Sequence, residues 1–100
     1  MAAVCGVRID RCDMEYDTRW VFDANSMREI TQLPVSNHIK ASRIVRFCCQ
    51  RCLRHTGCQA WNLDEKQRTC TLLRRRGGAT WDANNGRVKR ADFTSGIAVA

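Results

Sequence analysis

The clearest regularity along the chain is helical and begins at Ser42. One stripe of apolar side chains comprises Ile44, Val45, Cys48, Cys49, Cys52 and Leu53. This spacing is that of one face of an α-helix, and arginine and glutamine fill most of the opposite face, where Phe47 is an apolar exception. Ser42 suits the N-cap, and Gly57 stands where a left-handed residue would end the helix. The pattern therefore predicts an α-helix between Ser42 and Gly57.

The segments on both sides of this helix have the pattern of short β-strands. VRID and TRWVFDA alternate and are rich in β-branched and aromatic residues. CQAWNL and TCTLL flank a polar five-residue turn, which predicts a β-hairpin. RVKRADFTSGIAV can supply one or two closing strands. Because these strands do not alternate with helices, the sequence predicts an α+β fold with an antiparallel sheet and one helix.

Length and cysteine content limit the class of protein. A chain of 100 residues is expected to form a single domain, here residues 1–100. Domains of this size have a thin hydrophobic core, and many of them add disulfides or a structural metal. The chain has seven cysteines, four of them between Cys48 and Cys58. We therefore expect the sulfur atoms to stabilise the fold.

Charge is unevenly distributed along the chain. The net charge is +7, and residues 31–100 carry thirteen basic and four acidic side chains. Fourteen of the seventeen bases are arginine, which binds carboxylate, sulfate or phosphate through two hydrogen bonds. An anionic partner and a merely solvated basic surface are both consistent with this composition.

Compartment signals in the sequence conflict. No apolar run is long enough to cross a bilayer, so no membrane span is expected. The start MAAVCGVRID shows no signal peptide, which suggests the cytosol, whereas the cysteine content suggests an oxidising compartment. An excised domain or a mature form reconciles the two observations, and we expect an extracellular or cell-surface location.

A zinc site is one interpretation of the clustered cysteines. Cys49 and Cys52 have metal-ligand spacing, and His55 and Cys58 offer two further donors. Against zinc, the helical pattern places the first two on the buried stripe, and the chain has no second CxxC. Catalysis by a cysteine is disfavoured because Cys49 lies in mid-helix and no base is positioned beside it.

Disulfides are the other interpretation. Cys52 and Cys58 flank the helix C-terminus at a distance that suits a local bridge, and Cys70 in the hairpin can meet Cys48 across the helix–sheet interface. A bridge that closes about twenty residues contributes on the order of 3 kcal/mol to stability.

The same residues resemble the PAN/apple domain family. The run Cys48-x3-Cys52-x5-Cys58, followed by AW, by Cys70 with TLL, and by Ser95-Gly96, matches the family's pattern. The doubled cysteine is most similar to PAN modules of oomycete and apicomplexan surface proteins. The resemblance covers roughly residues 5–98 and implies a curved antiparallel sheet of about five strands on one helix.

The resemblance also implies the disulfide pairing. The family pairs, placed on matching positions, are Cys52–Cys58 and Cys48–Cys70. Cys49 would then join an N-terminal cysteine, either Cys5 or Cys12. Cys5 is preferred because the family's first cysteine precedes an opening strand. One thiol is left over, and the last cysteine of the usual apple form is absent after Cys70.

Function follows from the resemblance rather than from a catalytic motif. PAN/apple domains are binding modules of extracellular proteins and are not enzymes, which implies a secreted adhesion or lectin-like module without a cofactor. The expected partner is a glycan or a protein, acidic in view of the charge, and other subunits of a larger extracellular assembly are further candidates.

Two basic clusters are candidate binding sites. The first comprises Arg74, Arg75, Arg76 and Trp81, where the hairpin ends and an aromatic ring follows. The second is the polar helix face, with Arg43, Arg46 and Arg54 beside Phe47. Arginines with an aromatic ring suit sugar stacking combined with sulfate or carboxylate binding. Solvated arginines and buried aromatics remain the alternative for each cluster, and Trp20 and Trp61 are expected in the core.

A rival function comes from a different class of protein. A cytosolic or nuclear zinc-stabilised domain would use Cys49, Cys52, His55 and Cys58 for the metal and its arginines for nucleic acid. It leaves four cysteines unexplained, so nucleic acid is disfavoured as a partner. RVKR (87–90) resembles a processing site, but a strand there would block cleavage.

Overall fold

The computed structural model of the protein describes residues 7–9, 12–21, 27–75 and 87–98. Six strands and one helix occur in these ranges. In chain order they are β1 (Val7–Ile9), β2 (Cys12–Trp20), β3 (Met27–Pro34), α1 (Ala41–Arg54), β4 (Ala60–Asp64), β5 (Thr69–Arg75) and β6 (Arg87–Ala98).

The strands form one antiparallel sheet in the order β1-β2-β6-β4-β5-β3. β4 lies between its hairpin partner β5 and the C-terminal strand β6. Five of the strands are long, and the three-residue β1 extends one edge. The helix α1 contacts β4 and β6. This architecture confirms the predicted α+β class, with a sheet of about five main strands on one helix.

The core lies between α1 and one face of the sheet, which we call the inner face. Strand alternation places Trp61 and Leu63 of β4 on this face, while Asn62 and Asp64 lie on the opposite, outer face. The buried cluster combines side chains from both layers: Cys12, Met14, Ile44, Cys48, Cys49, Cys52, Trp61, Leu63, Cys70 and Leu72. Trp61 is completely buried, as the sequence predicted.

A second, smaller cluster lies on the outer face. Trp20, at the end of β2, packs against Ala60 and Leu73 and is completely buried. The side chain of Asn62 fixes this segment, because its Oδ1 accepts a 2.7 Å hydrogen bond from the Trp20 backbone N–H and its Nδ2 donates a 3.0 Å bond to the Trp20 carbonyl. The end of β2 is therefore attached to the outer face of β4, and Trp20 is a core residue as predicted.

Close packing explains the Ser-Gly pair near the C-terminus. Gly96 is the direct partner of Trp61 in the β4–β6 ladder. A Cβ at Gly96 would contact the indole of Trp61, and it would lie 2.7 Å from Nε1. The neighbouring Ser95 Oγ is hydrogen-bonded to Thr18 Oγ1 at 2.7 Å and to Arg87 Nε at 2.9 Å. The pair thus combines space for an indole ring with a buried polar network.

The start of the helix differs from the sequence prediction. α1 begins at Ala41 with Lys40 as N-cap, and no side chain caps it, so the prediction of Ser42 as N-cap was wrong. Ser42 lies one residue inside the helix, where its own φ and ψ are already helical. Gly57 does have the predicted left-handed backbone, with φ 85°.

Strand positions also differ from the prediction. β2 starts at Cys12 and ends at Trp20, whereas the sequence placed a strand at TRWVFDA. β3 was not predicted. β5 continues through Arg74 and Arg75, which pair with Arg28 and Met27 of β3 instead of ending the pattern. β5 is longer than predicted because it pairs with the edge strand β3, which the sequence does not reveal.

Candidate functional site

Three disulfides attach α1 to its surroundings. Cys48 bonds to Cys70 of β5, and Cys52 bonds to Cys58 beyond the helix C-terminus. These are the two pairs that the family resemblance implied. Two consecutive helix positions, Cys48 and Cys49, therefore join α1 to different strands of the inner face.

The third disulfide joins Cys49 to Cys12 rather than to Cys5, which the sequence argument preferred. Cys12 is the first residue of β2 and lies on the inner face, with its Cα 5.9 Å from that of Cys49. Both cysteines are completely buried. The preference for Cys5 relied on VRID as the opening strand, but the longer strand β2 carries the cysteine that faces the helix. Cys5 lies outside the described residues.

The disulfides remove the donors of the alternative zinc site. Cys49, Cys52 and Cys58 each belong to a disulfide, and a disulfide sulfur is not the thiolate that zinc requires. The remaining candidate, His55, is exposed, and its Nδ1 lies 3.1 Å from the carbonyl of Thr56. In the part of the chain that the structure describes, no group of three or more histidine, cysteine or acidic side chains is placed to hold a metal ion.

The predicted basic face of the helix is exposed to solvent. Arg43, Arg46 and Arg54 are all exposed, and Arg51, which the sequence analysis did not single out, adds a fourth exposed arginine. We call these four residues the basic helix face. The helix ASRIVRFCCQRCLR contains no acidic residue. A rise of 1.5 Å per residue gives the face a length of about 16 Å between its first and last arginine.

Phe47 packs between the inner core cluster and the basic helix face. Its ring is half-buried and packs against the inner core cluster. The guanidinium of Arg51 lies 5.3 Å from the centre of the ring. The contact orients Arg51 through a cation–π interaction, so Phe47 acts as packing for the arginines and not as an open platform for a sugar ring.

The second predicted cluster is only partly described. Arg74 is exposed on β5, and its Cδ lies 3.7 Å from the position that a Cβ would occupy on Gly57. This contact places Arg74 beside the turn at Gly57, which follows Arg54 by three residues. Arg75 belongs to the same strand, while Arg76 and Trp81 lie outside the described residues. The combined cluster of three arginines and a tryptophan stays a prediction.

The RVKR segment forms part of the fold. Arg87, Val88 and Lys89 pair with the end of β2. The side chain of Arg87 is 9% exposed and forms a 3.5 Å ion pair with Glu15. Its guanidinium also lies 4.6 Å from the ring of Trp20. A proteolytic site needs an extended, accessible backbone, so this pairing disfavours processing at Arg90.

These features define a small disulfide-bonded α+β domain with a basic helix on one face. A family model described as the PAN domain matches residues 12–97, and the chain belongs to this family. A comparison with curated proteins finds no match. None of the helices within the described ranges is long and apolar enough to cross a membrane.

Proposed function

We propose that the chain is an extracellular binding module whose basic helix face binds an acidic glycan or an acidic protein surface. PAN domains are adhesion modules that bind proteins or carbohydrates, which supports binding as the class of function. The three disulfides fit an oxidising, extracellular environment.

The observation that carries the proposal is the composition of the basic helix face. Four exposed arginines lie along a helix that contains no carboxylate of its own. Arginine donates paired hydrogen bonds to carboxylate and sulfate groups, and a row of four can follow a linear polyanion. Arg51 and Arg54 also lie in the last helical turn, where the negative end of the helix dipole offsets part of their charge. Arg43, in the first helical turn, has no such offset from the helix dipole.

The position of the helix strengthens this interpretation. Disulfides at Cys48, Cys49 and Cys52 fix one side of α1 to its surroundings, so the opposite side is held rigidly. Binding to a preorganised row of charges costs less entropy than binding to arginines on a mobile loop. Arg74, beside Gly57, lies where it can lengthen the basic surface beyond the helix C-terminus.

The test compares two variants that each lose two positive charges. Arg43→Gln with Arg54→Gln changes the basic helix face, and Lys66→Gln with Lys89→Gln is the matched control at two exposed positions elsewhere. We expect the arginine variant to bind a heparin oligosaccharide or a polyglutamate peptide about tenfold more weakly, since each exposed charge pair contributes roughly 0.7 kcal/mol. The lysine control should keep most of its affinity.

Salt dependence and a third ligand distinguish the alternatives. Binding at the face should weaken as the salt concentration rises, and less steeply in the arginine variant. Equal losses in the two variants would indicate attraction by net charge alone and would refute a defined site. Preference for duplex DNA over both polyanions would support the nucleic-acid alternative, which the disulfides disfavour.

A further inference from the structure

We infer a second ligand site, for an uncharged sugar unit, in a groove on the outer face of the sheet. The groove has a volume of about 320 Å³, which is within the range of small-molecule sites. The residues that carry the argument are Arg19, Glu29, Gln32, Asp64, Thr71 and Phe93. We call this feature the outer-face groove. The inference shares with the proposed function the premise that the chain is a binding module, but it concerns a different surface.

Strand alternation separates the groove from the helix. In the β4–β5 hairpin, Leu63 and Cys70 face the inner core, whereas Asp64 and Thr71 face outward. Gln32 of β3 is the ladder partner of Thr71 and lines the groove beside it. The sheet therefore lies between the outer-face groove and the basic helix face, and one ligand unit cannot contact both.

Two irregular segments close one side of the groove. Arg19 belongs to the end of β2, which Asn62 fixes to the sheet through its two hydrogen bonds with Trp20. Phe93 follows Asp92, whose left-handed backbone (φ 67°) bends β6. The guanidinium of Arg19 lies 5.2 Å from the centre of the Phe93 ring. This side of the groove is thus formed by Arg19, whose guanidinium stacks on the ring of Phe93.

The charge balance of the groove differs from that of the whole chain. Its lining includes one arginine and two carboxylates, those of Glu29 and Asp64. The rest of the lining is made of amides, hydroxyls and the Phe93 ring. A polyanion gains nothing here because the carboxylates would repel it. The groove instead suits a ligand that is uncharged and rich in hydrogen-bonding groups.

Hydrogen-bonding capacity is available in the groove. The Nε–H of Arg19 is buried, and among the described residues none accepts a hydrogen bond from it. Such a group normally binds water or a ligand. Glu29 Oε1 already accepts a 3.1 Å bond from Gln32, and Asp64 Oδ1 accepts a 3.0 Å bond from the Gln67 backbone N–H. Both carboxylates are therefore held in place and keep further lone pairs for donors.

A sugar ring matches these groups. Each hydroxyl both donates and accepts, so one ring can accept from the guanidinium of Arg19 while donating to the carboxylates. Its C–H groups can also contact the part of the Phe93 ring that lines the groove, beside the guanidinium groups of Arg19 and Arg90 that lie over the ring. A fixed set of polar groups around a small concave surface favours binding because little reorganisation is needed.

The experiment is a titration of the ¹⁵N-labelled chain, followed by NMR, with glucose, galactose, mannose and N-acetylglucosamine in turn. We expect at least one sugar to shift the backbone amide signals of Asp64 and Thr71 without shifting that of Arg43. Glucuronate should bind more weakly than glucose because of the two carboxylates. If none of the four sugars shifts the groove signals, or if glucuronate binds as tightly as the best of them, the inference is wrong.

Two threonine variants make the test specific. Thr71→Val removes a hydroxyl from the groove and keeps the side-chain shape, and Thr31→Val is the control because its ladder partner, Leu72, belongs to the inner core. We expect Thr71→Val to weaken sugar binding about tenfold and Thr31→Val to leave it unchanged. Sugar-dependent shifts on the helix instead would overturn the groove assignment. The polyanion test on the basic helix face is unaffected by either result, so the two proposals can fail separately.

Discussion

Removing different disulfides should destabilise the domain by different amounts, and loop length sets the order. The Cys12–Cys49 bridge has a sequence separation of 37, whereas the Cys52–Cys58 bridge has a separation of 6. A bridge stabilises the fold mainly by restricting the unfolded chain, and the restriction increases with the length of the closed loop. The long bridge is therefore expected to contribute more than the local one.

The chain-entropy relation assigns about 3.8 kcal/mol to the Cys12–Cys49 bridge and about 2.2 kcal/mol to the Cys52–Cys58 bridge at 25 °C. The difference of about 1.6 kcal/mol corresponds to roughly 10 °C in Tm for a domain of this size. Burial adds to the difference in the same direction, because Cys12 and Cys49 are fully buried while Cys58 is half-buried. Replacing the buried sulfurs also leaves more empty volume.

The assay is urea unfolding under non-reducing conditions of two variants, Cys12→Ala with Cys49→Ala and Cys52→Ala with Cys58→Ala. Both carry Cys5→Ala, so that no spare N-terminal thiol forms a new bridge. Intact mass before and after alkylation verifies that two disulfides remain in each. An equal loss of unfolding free energy in the two variants, or a greater loss from the local bridge, would refute the loop-length argument.

Two further variants test the contacts of the sheet by thermal and urea unfolding. Gly96→Ala should destabilise the domain by at least about 2 kcal/mol, because the added methyl group overlaps the fully buried Trp61 indole. Surface substitutions usually change stability by no more than about 0.5 kcal/mol, so a change below that value would contradict this packing. Arg87→Ala should lower the free energy of unfolding by about 3 kcal/mol, because it leaves Glu15 without its ion-pair partner and removes the hydrogen bonds to Ser95. Arg87→Lys should restore only part of this stability, and full restoration would show that charge alone matters.

The helix could be predicted from the sequence because its signal is local. The apolar stripe from Ile44 to Leu53 repeats with helical spacing over almost three turns, and the observed N-cap, Lys40, lies two residues before the predicted one, Ser42. The β4–β5 hairpin was predicted for the same reason, since its two strands are neighbours in the chain and a polar turn joins them. Such patterns need no information about distant residues.

The missing parts depend on partners far away in the sequence. β3 lies at the edge of the sheet, where both faces are partly exposed, so its residues MREITQLP show no strong alternation. β2 was misplaced because the residues of β6 that pair with DMEY lie some eighty residues later in the chain. The choice between Cys5 and Cys12 failed with it, because the strand that faces the helix decides which cysteine can reach Cys49.

The two candidate sites also differ in whether a local sequence pattern reveals them. The basic helix face is visible in the sequence because its arginines share one local periodicity. The outer-face groove is not visible there, because its lining comes from the bent ends of β2 and β6 together with the middle of the sheet.

This separation also explains how one small basic domain can combine two different ligand preferences. The excess positive charge is concentrated on a helix on one side of the sheet, while the groove on the other side includes more carboxylates than arginines. Exposed charges separated by more than the screening length of about 8 Å at physiological salt interact weakly, so the basic face does not impose its preference on the groove. The two sites should therefore bind a polyanion and an uncharged sugar together, without competition. A long acidic glycan with uncharged branches is one ligand that could use both.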